Sequence, residues 1–211
     1  MKKITVFTIA TASLLLSGAE IIPLEKGNAD ITGGNTIVTV GSLRASLSFF
    51  WKTTSWISMK SAKSVMSKPE QNQWRFEAQS APIEGTEKTS VTQTVKKISP
   101  DTLEYTWKWD AAPRQAVGHV FMCQVFTKDF TGYSVSINGQ QIKTENESKY
   151  SISRTKKEDQ KVTLTTANGR KLTLECKQKC QVILSTRKNS GIEIRFESAG
   201  IKTLTVSVTV K

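Results

Sequence analysis

Three cysteines and one histidine are the residues of this chain that could carry metal or redox chemistry. Cys176 and Cys180 lie four residues apart, the third cysteine is Cys123, and the histidine is His119. A zinc site needs about four ligands, and beyond the cysteine pair the chain offers only this histidine and this cysteine. A redox pair usually has the spacing C-x-x-C and lies near a βαβ pattern, which is missing here. We therefore expect no metal site and no cofactor.

The spacing of Cys176 and Cys180 suits a disulfide across a hairpin. If Leu174 faces Val182, the turn consists of residues 177–179 and the two cysteines lie directly opposite each other. Cross-strand neighbours have Cβ atoms about 4.5–5.5 Å apart, which a disulfide can bridge after a small adjustment. We predict that Cys176 and Cys180 form a disulfide, and two free buried thiols are the alternative.

No catalytic motif stands out in the sequence. A Ser-His-Asp triad would have to use His119, which lies in an apolar segment, and there is no G-x-S-x-G elbow. The glycine-rich loops that bind phosphates and the EF-hand calcium loop are also missing from the sequence. Two carboxylates that face a cleft could hydrolyse a glycosidic bond, and Glu104 and Asp110 are candidates. Both acids lie on the polar face of one predicted strand, and a solvated surface is the simpler interpretation of that face.

Four aromatic residues are the candidates for ligand binding. Tyr105, Trp107 and Trp109 share one face of a predicted strand, and Trp56 lies near the end of another. On an exposed sheet such rings can stack against the apolar C–H faces of sugar rings. In a two-sheet sandwich the same stripe usually fills the core. Trp109 and Trp56 lie near strand ends, so we expect these two rings to be the exposed ones.

The elements that must position these residues are strands. Apolar and polar residues alternate with a period of two, which is typical of half-buried strands, in the segments 43–52, 103–110, 192–197 and 204–210. Residues 117–126 are almost continuously apolar, which indicates a strand buried on both faces. We find no convincing long helix and no internal repeat. The sequence predicts an all-β protein, an antiparallel β-sandwich of roughly ten to twelve strands.

The Asn-Gly pair at residues 138–139 predicts a hairpin. A two-residue type I′ turn there places Val135 opposite Ile142, so that both apolar residues lie on one face. This register is the one that keeps the apolar side chains together.

A second hairpin is predicted at residues 167–169. A two-residue loop would separate the apolar residues, whereas a three-residue loop places Leu164 opposite Leu172 and Val162 opposite Leu174. We therefore predict a type I turn with a bulge and with Gly169 in the left-handed conformation.

The N-terminus has the features of a secretory signal peptide. Lys2 and Lys3 form a basic start, residues 4–16 are an apolar run, and Ser17 to Ala19 supply the small residues of a cleavage site. We expect cleavage after Ala19 and export of the protein, and an uncleaved anchor is the alternative. No later segment is apolar for 18 residues, so we expect no transmembrane helix in the mature chain.

These features divide the chain into a signal peptide at residues 1–19, an N-terminal extension at 20–34 and a β-sandwich domain at 35–211. The net charge of the whole chain is +12, and the signal peptide would remove only two lysines and no acid. A positive field favours acidic partners such as an anionic polysaccharide. Lipid headgroups and nucleic acid are the other acidic partners that such a field favours, and of these we do not expect nucleic acid. The lysines are scattered, with no run of five. A generally basic surface is the alternative.

Four segments resemble a known group of proteins: the strand LEYTWKW, the apolar strand GHVFMCQVF, the hairpin GYSVSINGQQI and the closing segment VILSTRKNSGIEIRFESAG. They are similar to exported β-sandwich domains of the galactose-mutarotase-like or supersandwich kind, which accompany bacterial glycoside hydrolases. The resemblance covers residues 35–211 and implies a carbohydrate context. The mutarotase-type site uses paired histidines with an acid, which His119 alone cannot supply, so no site residue is carried over.

The sequence thus predicts an exported β-sandwich protein that binds carbohydrate, including acidic glycans, without catalysis. A structural or protein-interaction protein of the cell surface is the alternative. A glycosidase whose carboxylate pair is not recognisable from sequence is the third hypothesis.

Overall fold

The structure is a computed structural model. It describes residues 20–32, 34–52, 56–58, 64–79, 90–109, 118–125, 133–142, 150–153, 159–187, 191–198 and 201–211. Within these ranges the chain forms eighteen strands, which are numbered here in chain order. Among the same residues, no helix is long and apolar enough to cross a membrane.

The first sheet contains nine strands: β1 (Glu20–Leu24), β2 (Gly27–Thr32), β3 (Asn35–Val40), β4 (Leu43–Lys52), β5 (Trp56–Ser58), β10 (Gly118–Val125), β13 (Tyr150–Ser153), β16 (Gln181–Arg187) and β17 (Gly191–Ser198). Their spatial order is β1-β2-β3-β4-β10-β17-β16-β13, and β5 pairs with β4 beside this path. The pairs are antiparallel.

The second sheet also contains nine strands: β6 (Ser64–Glu70), β7 (Gln73–Gln79), β8 (Ser90–Ser99), β9 (Thr102–Trp109), β11 (Ser134–Ile137), β12 (Gln140–Ile142), β14 (Gln160–Thr165), β15 (Lys171–Cys176) and β18 (Thr203–Val210). Their order is β12-β11-β14-β15-β18-β9-β8-β7-β6, again with antiparallel pairing.

The core lies between the inner faces of the two sheets. In β18, for example, Leu204, Val206, Val208 and Val210 are fully buried, and the residues between them are partly exposed. Because successive side chains of a strand point to opposite faces, this alternation separates a core face from an outer face. The predicted antiparallel β-sandwich is confirmed.

The number of strands is higher than the ten to twelve expected from the sequence. Residues 20–32, which the sequence sets apart as an extension, form β1 and β2 and continue the first sheet. Short strands such as β5 and β12 have three residues each, too few for an alternating pattern to show.

Both predicted hairpins are confirmed. Val135 pairs with Ile142, and Asn138 and Gly139 have positive φ angles of 51° and 81°, as a type I′ turn requires.

At the second hairpin, Leu164 pairs with Leu172 and Val162 with Leu174. Gly169 has a φ of 79°, so it occupies the left-handed conformation that the three-residue loop needs.

The predicted hairpin between β15 and β16 is wrong, because the chain crosses from the second sheet to the first at this point. β15 pairs with β14 and β18, whereas β16 pairs with β13 and β17. Leu174 therefore lies opposite Val162 and Val208, not opposite Val182. Alternation shows that each strand buries one face, but neighbours within one sheet and strands in facing sheets both satisfy this pattern.

The predicted disulfide is not formed, since Cys176 and Cys180 are both free and buried. They lie at the two ends of the crossover, where the Cys176 thiol donates a hydrogen bond to the Gln178 carbonyl at 3.7 Å. A hydrogen bond from Cys180 lowers the pKa of Cys176, and the same bond together with burial raises the pKa of Cys180. Cys123 is a third buried thiol, and burial raises its pKa. This arrangement matches the alternative of free buried thiols.

Candidate functional site

The aromatic stripe of β9 belongs to the core. Tyr105, Trp107 and Trp109 are 1%, 1% and 4% exposed. The Trp107 ring stacks on Phe49 of the first sheet at 5.1 Å, and its Nε1 donates to Gln93 Oε1 at 2.8 Å. Burial raises the pKa of the Tyr105 phenol well above its usual range. These three rings cannot meet a sugar, and the expected exposure of Trp109 is wrong.

The position of β9 explains this burial. β9 lies between β18 and β8 within the second sheet, and the first sheet covers its inner face as far as Trp109, whose ring stacks on Phe49. A position near the end of a strand therefore does not imply exposure. Trp56 lies in β5 and His119 in β10, and the side chains of both lie outside the described part of the structure.

A row of charged groups lies on the outer face of the first sheet. Glu193, Arg195 and Glu197 alternate in β17 with buried apolar residues. Arg195 Nε donates to Glu193 Oε1 at 2.7 Å, and its Nη1 lies 3.8 Å from Glu197 Oε1. One guanidinium therefore bridges two carboxylates along a single strand.

Three uncharged polar residues form a second group on the same outer face. Ser48 Oγ donates to Asn35 Oδ1 at 2.6 Å, and Ser46 Oγ donates to the same oxygen at 3.2 Å. Asn35 and Ser48 are buried although they belong to the outer face. The amide nitrogen of Asn35 is therefore oriented away from these two hydroxyls.

The two groups flank β10. In the register of the sheet, Met122 of β10 lies between Ser48 of β4 and Arg195 of β17. Neighbouring strands are about 4.8 Å apart, so the backbones of β4 and β17 are separated by about 10 Å. We call the six residues the polar face: Asn35, Ser46, Ser48, Glu193, Arg195 and Glu197.

The charged groups of the polar face are only partly accessible to water. The side chains of Glu193, Arg195 and Glu197 are 15%, 23% and 30% exposed. Partly desolvated charges that are held in place by hydrogen bonds interact more strongly with a ligand than fully hydrated ones. In the sequence these charged residues alternate with apolar ones, but nothing there indicates that their side chains are shielded from water.

The outer face of the second sheet has a different composition. Thr163, Thr173, Thr209 and Thr102 form one row across four neighbouring strands. Their hydroxyls are paired, with Thr163 Oγ1 3.2 Å from Thr173 Oγ1 and Thr102 Oγ1 3.0 Å from Thr209 Oγ1. We call this surface the threonine face, and its other outward threonines include Thr92, Thr94, Thr106, Thr165, Thr203 and Thr205.

Neither face forms a metal centre within the described ranges. No group of three or more His, Cys, Asp or Glu residues is arranged there to hold a metal ion. The side chains of the polar face themselves form hydrogen bonds and ion pairs.

By sequence, no family model and no curated protein matches this chain. By structure, the chain is similar to a GalM/aldose epimerase homologue from C. elegans, with a TM-score of 0.61, 6% sequence identity and coverage of 93% of this chain and 99% of that chain. At this identity the likeness shows the fold alone. It supports the galactose-mutarotase-like resemblance at the level of the fold.

Proposed function

We propose that this protein is exported and binds carbohydrate without catalysis, through its polar face. The fold is compatible with carbohydrate association, because one protein of similar structure is a GalM/aldose epimerase homologue. The observation that carries the proposal is the sheltered row Glu193–Arg195–Glu197 on an outer sheet face. Export is inferred from the signal-peptide features of residues 1–19, and the mass of the protein recovered outside the cell tests it.

The polar face offers the hydrogen-bonding groups that a sugar needs. Each sugar hydroxyl can donate and accept, so a binding row should present both kinds of partner. Carboxylates accept, the guanidinium donates in a planar fork, and serine hydroxyls do both. The carboxylates of Glu193 and Glu197 both turn toward the Arg195 guanidinium, so the three charged groups form one compact cluster. A cluster of this size can contact the hydroxyls of one sugar residue.

The histidine content argues against mutarotase-type catalysis. The chain has a single histidine, so it lacks the pair that such a site uses. Binding without turnover is therefore the function that the polar face supports best.

The test is a binding assay of the full chain against neutral glycans, first on an array and then in solution. Glu197→Gln removes a charge but keeps the shape of the side chain. The ion pair of Glu197 is a long one, with its Oε1 3.8 Å from Arg195 Nη1. We expect this variant to lose at least tenfold in affinity. The matched control is Glu77→Gln, which also flanks an arginine but lies on the second sheet, and it should stay within twofold. Absence of glycan binding, or an equal loss in both variants, would refute the proposal.

A structural or protein-interaction role at the cell surface is the second candidate. Three large apolar residues of the described part are more than half exposed: Ile21 on edge strand β1, Val65 on edge strand β6, and Ile98. Exposed edge strands can pair with another chain, although prolines in both edges limit this pairing. Light scattering over a range of concentrations tests self-association, and a monomer throughout would argue against edge pairing between copies.

A further inference from the structure

The charged cluster of the polar face carries one more negative charge than positive. Glu193 and Glu197 contribute two carboxylates, and Arg195 contributes the single guanidinium to which both of them pair. The whole chain, by contrast, has a net charge of +12. The cluster is therefore a local negative site on a positively charged protein.

Across the described strands β4, β10, β17 and β16, no other charged residue lies in the three rows of the sheet that contain the cluster. The register aligns one residue of each neighbouring strand with each charged group. The aligned residues are Ser46, Gln124 and Ser185 beside Glu193, then Ser48, Met122 and Ile183 beside Arg195, and Phe50, Val120 and Gln181 beside Glu197. The surplus carboxylate therefore has no second cation among its aligned neighbours.

Within the cluster, the two carboxylates are bound unequally. Arg195 Nε donates to Glu193 Oε1 at 2.7 Å, and its Nη2 contacts the same oxygen. The ion pair of Glu197 with Arg195 is 3.8 Å long, which is too long for a hydrogen bond. No other group of the described residues donates a hydrogen bond to the Glu197 carboxylate. Glu197 is also the more exposed of the two acids, so it is the one that a ligand can reach.

We propose that the polar face selects amino sugars, with Glu197 binding the ammonium group of a sugar residue. This inference rests on the proposed function and deepens it by naming the class of glycan. An ammonium group supplies both the positive charge and the N–H donors that the Glu197 carboxylate lacks. Hydrogen bonds between charged partners are roughly twice as strong as neutral ones, so an amino group should be preferred over the hydroxyl that it replaces.

The same charges disfavour an acidic glycan at this site. A uronic acid that approached Arg195 would also meet Glu193 and Glu197, and carboxylates at such short range repel each other. The lysines and arginines elsewhere on the protein attract acidic glycans, but the Debye length at 0.15 M salt is only about 8 Å. A contact with Glu197 is shorter than this length, so the local carboxylate should decide the preference.

The experiment measures the affinity of the full chain for three short oligosaccharides of equal length, at pH 6 and about 0.15 M salt. The first is β-1,4-linked glucosamine, whose amines are largely protonated at this pH. The second is β-1,4-linked glucose, which has a hydroxyl in place of each amine and is otherwise identical. The third is an oligogalacturonate. We expect the glucosamine oligomer to bind at least tenfold more tightly than either of the others.

Glu197→Gln is the test variant, because it removes the charge of the side chain but keeps its shape. It should reduce the preference for glucosamine over glucose below threefold. The preference is a ratio measured on one variant, so a general loss of affinity or of folded protein cancels. The matched control is Glu77→Gln, since Glu77 pairs with Arg75 on the second sheet and is well exposed. This control should keep the full preference of the wild type.

Equal binding of the glucosamine and glucose oligomers by the wild type would overturn this inference and leave the proposed function standing. Tighter binding of the oligogalacturonate would also overturn it, because net charge would then outweigh the local carboxylate. A preference that survives in the Glu197→Gln variant, or that disappears in the Glu77→Gln variant, would show that Glu197 is not the selecting group. Binding of none of the three oligomers would refute the proposed function and this inference with it.

Discussion

The outer faces of the two sheets carry the same sequence pattern in different surroundings. Arg195 pairs with Glu193 two residues away in β17, and Arg75 pairs with Glu77 two residues away in β7. The side chains of the first pair are 23% and 15% exposed, and those of the second are 48% and 59% exposed. A charged residue at every second position of a strand therefore predicts that these side chains lie on the outer face of the sheet. It does not predict that they contact bulk water.

This difference gives the two faces different physical roles. Fully hydrated ion pairs contribute little to stability and are screened by salt. Sheltered charges must keep their partners, because a partly buried charge without a partner is costly. The polar face is therefore suited to specific hydrogen bonding.

The largest effect should come from a change in the core that supports both faces. Trp107→Ala removes a buried ring that stacks on Phe49 and bonds to Gln93. We expect a loss of about 3–5 kcal/mol in the free energy of unfolding, a large part of the stability of a typical domain. Denaturant unfolding measures it, and Trp107→Phe should lose less because a ring remains. A Trp107→Ala variant of unchanged stability would contradict the core assignment.

A smaller effect should separate the two arginine pairs. Arg195→Ala leaves the partly buried Glu193 without its guanidinium partner. This should lower the free energy of unfolding by about 1–3 kcal/mol. Arg75→Ala removes an ion pair that is exposed to water, so it should lower the free energy of unfolding by less than about 0.5 kcal/mol. Parallel denaturant unfolding of the two variants makes the comparison. Equal costs would show that the shelter of the polar face has no energetic consequence.

The smallest effect concerns Asp101, at the turn that leads into the threonine face. Its carboxylate accepts hydrogen bonds from Ser99 Oγ at 2.5 Å and Thr102 Oγ1 at 3.0 Å. The Ser99 bond is the main cause that lowers the pKa of Asp101 below its ordinary value of 3.8, and Lys211 adds a minor charge effect.

A lowered folded-state pKa means that the carboxylate stabilises the folded protein above about pH 4 and that this contribution is lost as the pH falls through the folded value. Asp101→Asn should therefore melt slightly lower than the wild type at pH 6, and the difference should shrink toward pH 2. Melting curves at several pH values measure this. A difference that does not change with pH would show that the carboxylate charge is not involved.

Short-range features of this fold follow from the sequence alone. The Asn-Gly turn at residues 138–139 and the register of Leu164 with Leu172 are both set by neighbouring residues. In each case the turn chemistry and the apolar alternation agree, and only one register satisfies both. The all-β class follows for the same reason, since a period of two recurs along the chain.

The arrangement of the strands in space was decided by tertiary structure. Alternation in β15 and β16 shows that each strand buries one side, but it does not show whether the two strands share a sheet. The same ambiguity placed Cys176 opposite Cys180 in a hairpin. The position of Trp109 near the end of its strand made its ring a candidate for exposure, but the ring is buried and stacks on Phe49 of the other sheet.

The sequence by itself determined the all-β class, two of the turns and the outward direction of Glu193, Arg195 and Glu197. Only the tertiary structure decided that these groups are sheltered, that β10 separates them from Ser48, and that Lys177 lies beside Glu104. The physical reason is that local periodicity reports the direction of a side chain relative to its own strand. Shelter and proximity depend on contacts between segments that are distant along the chain.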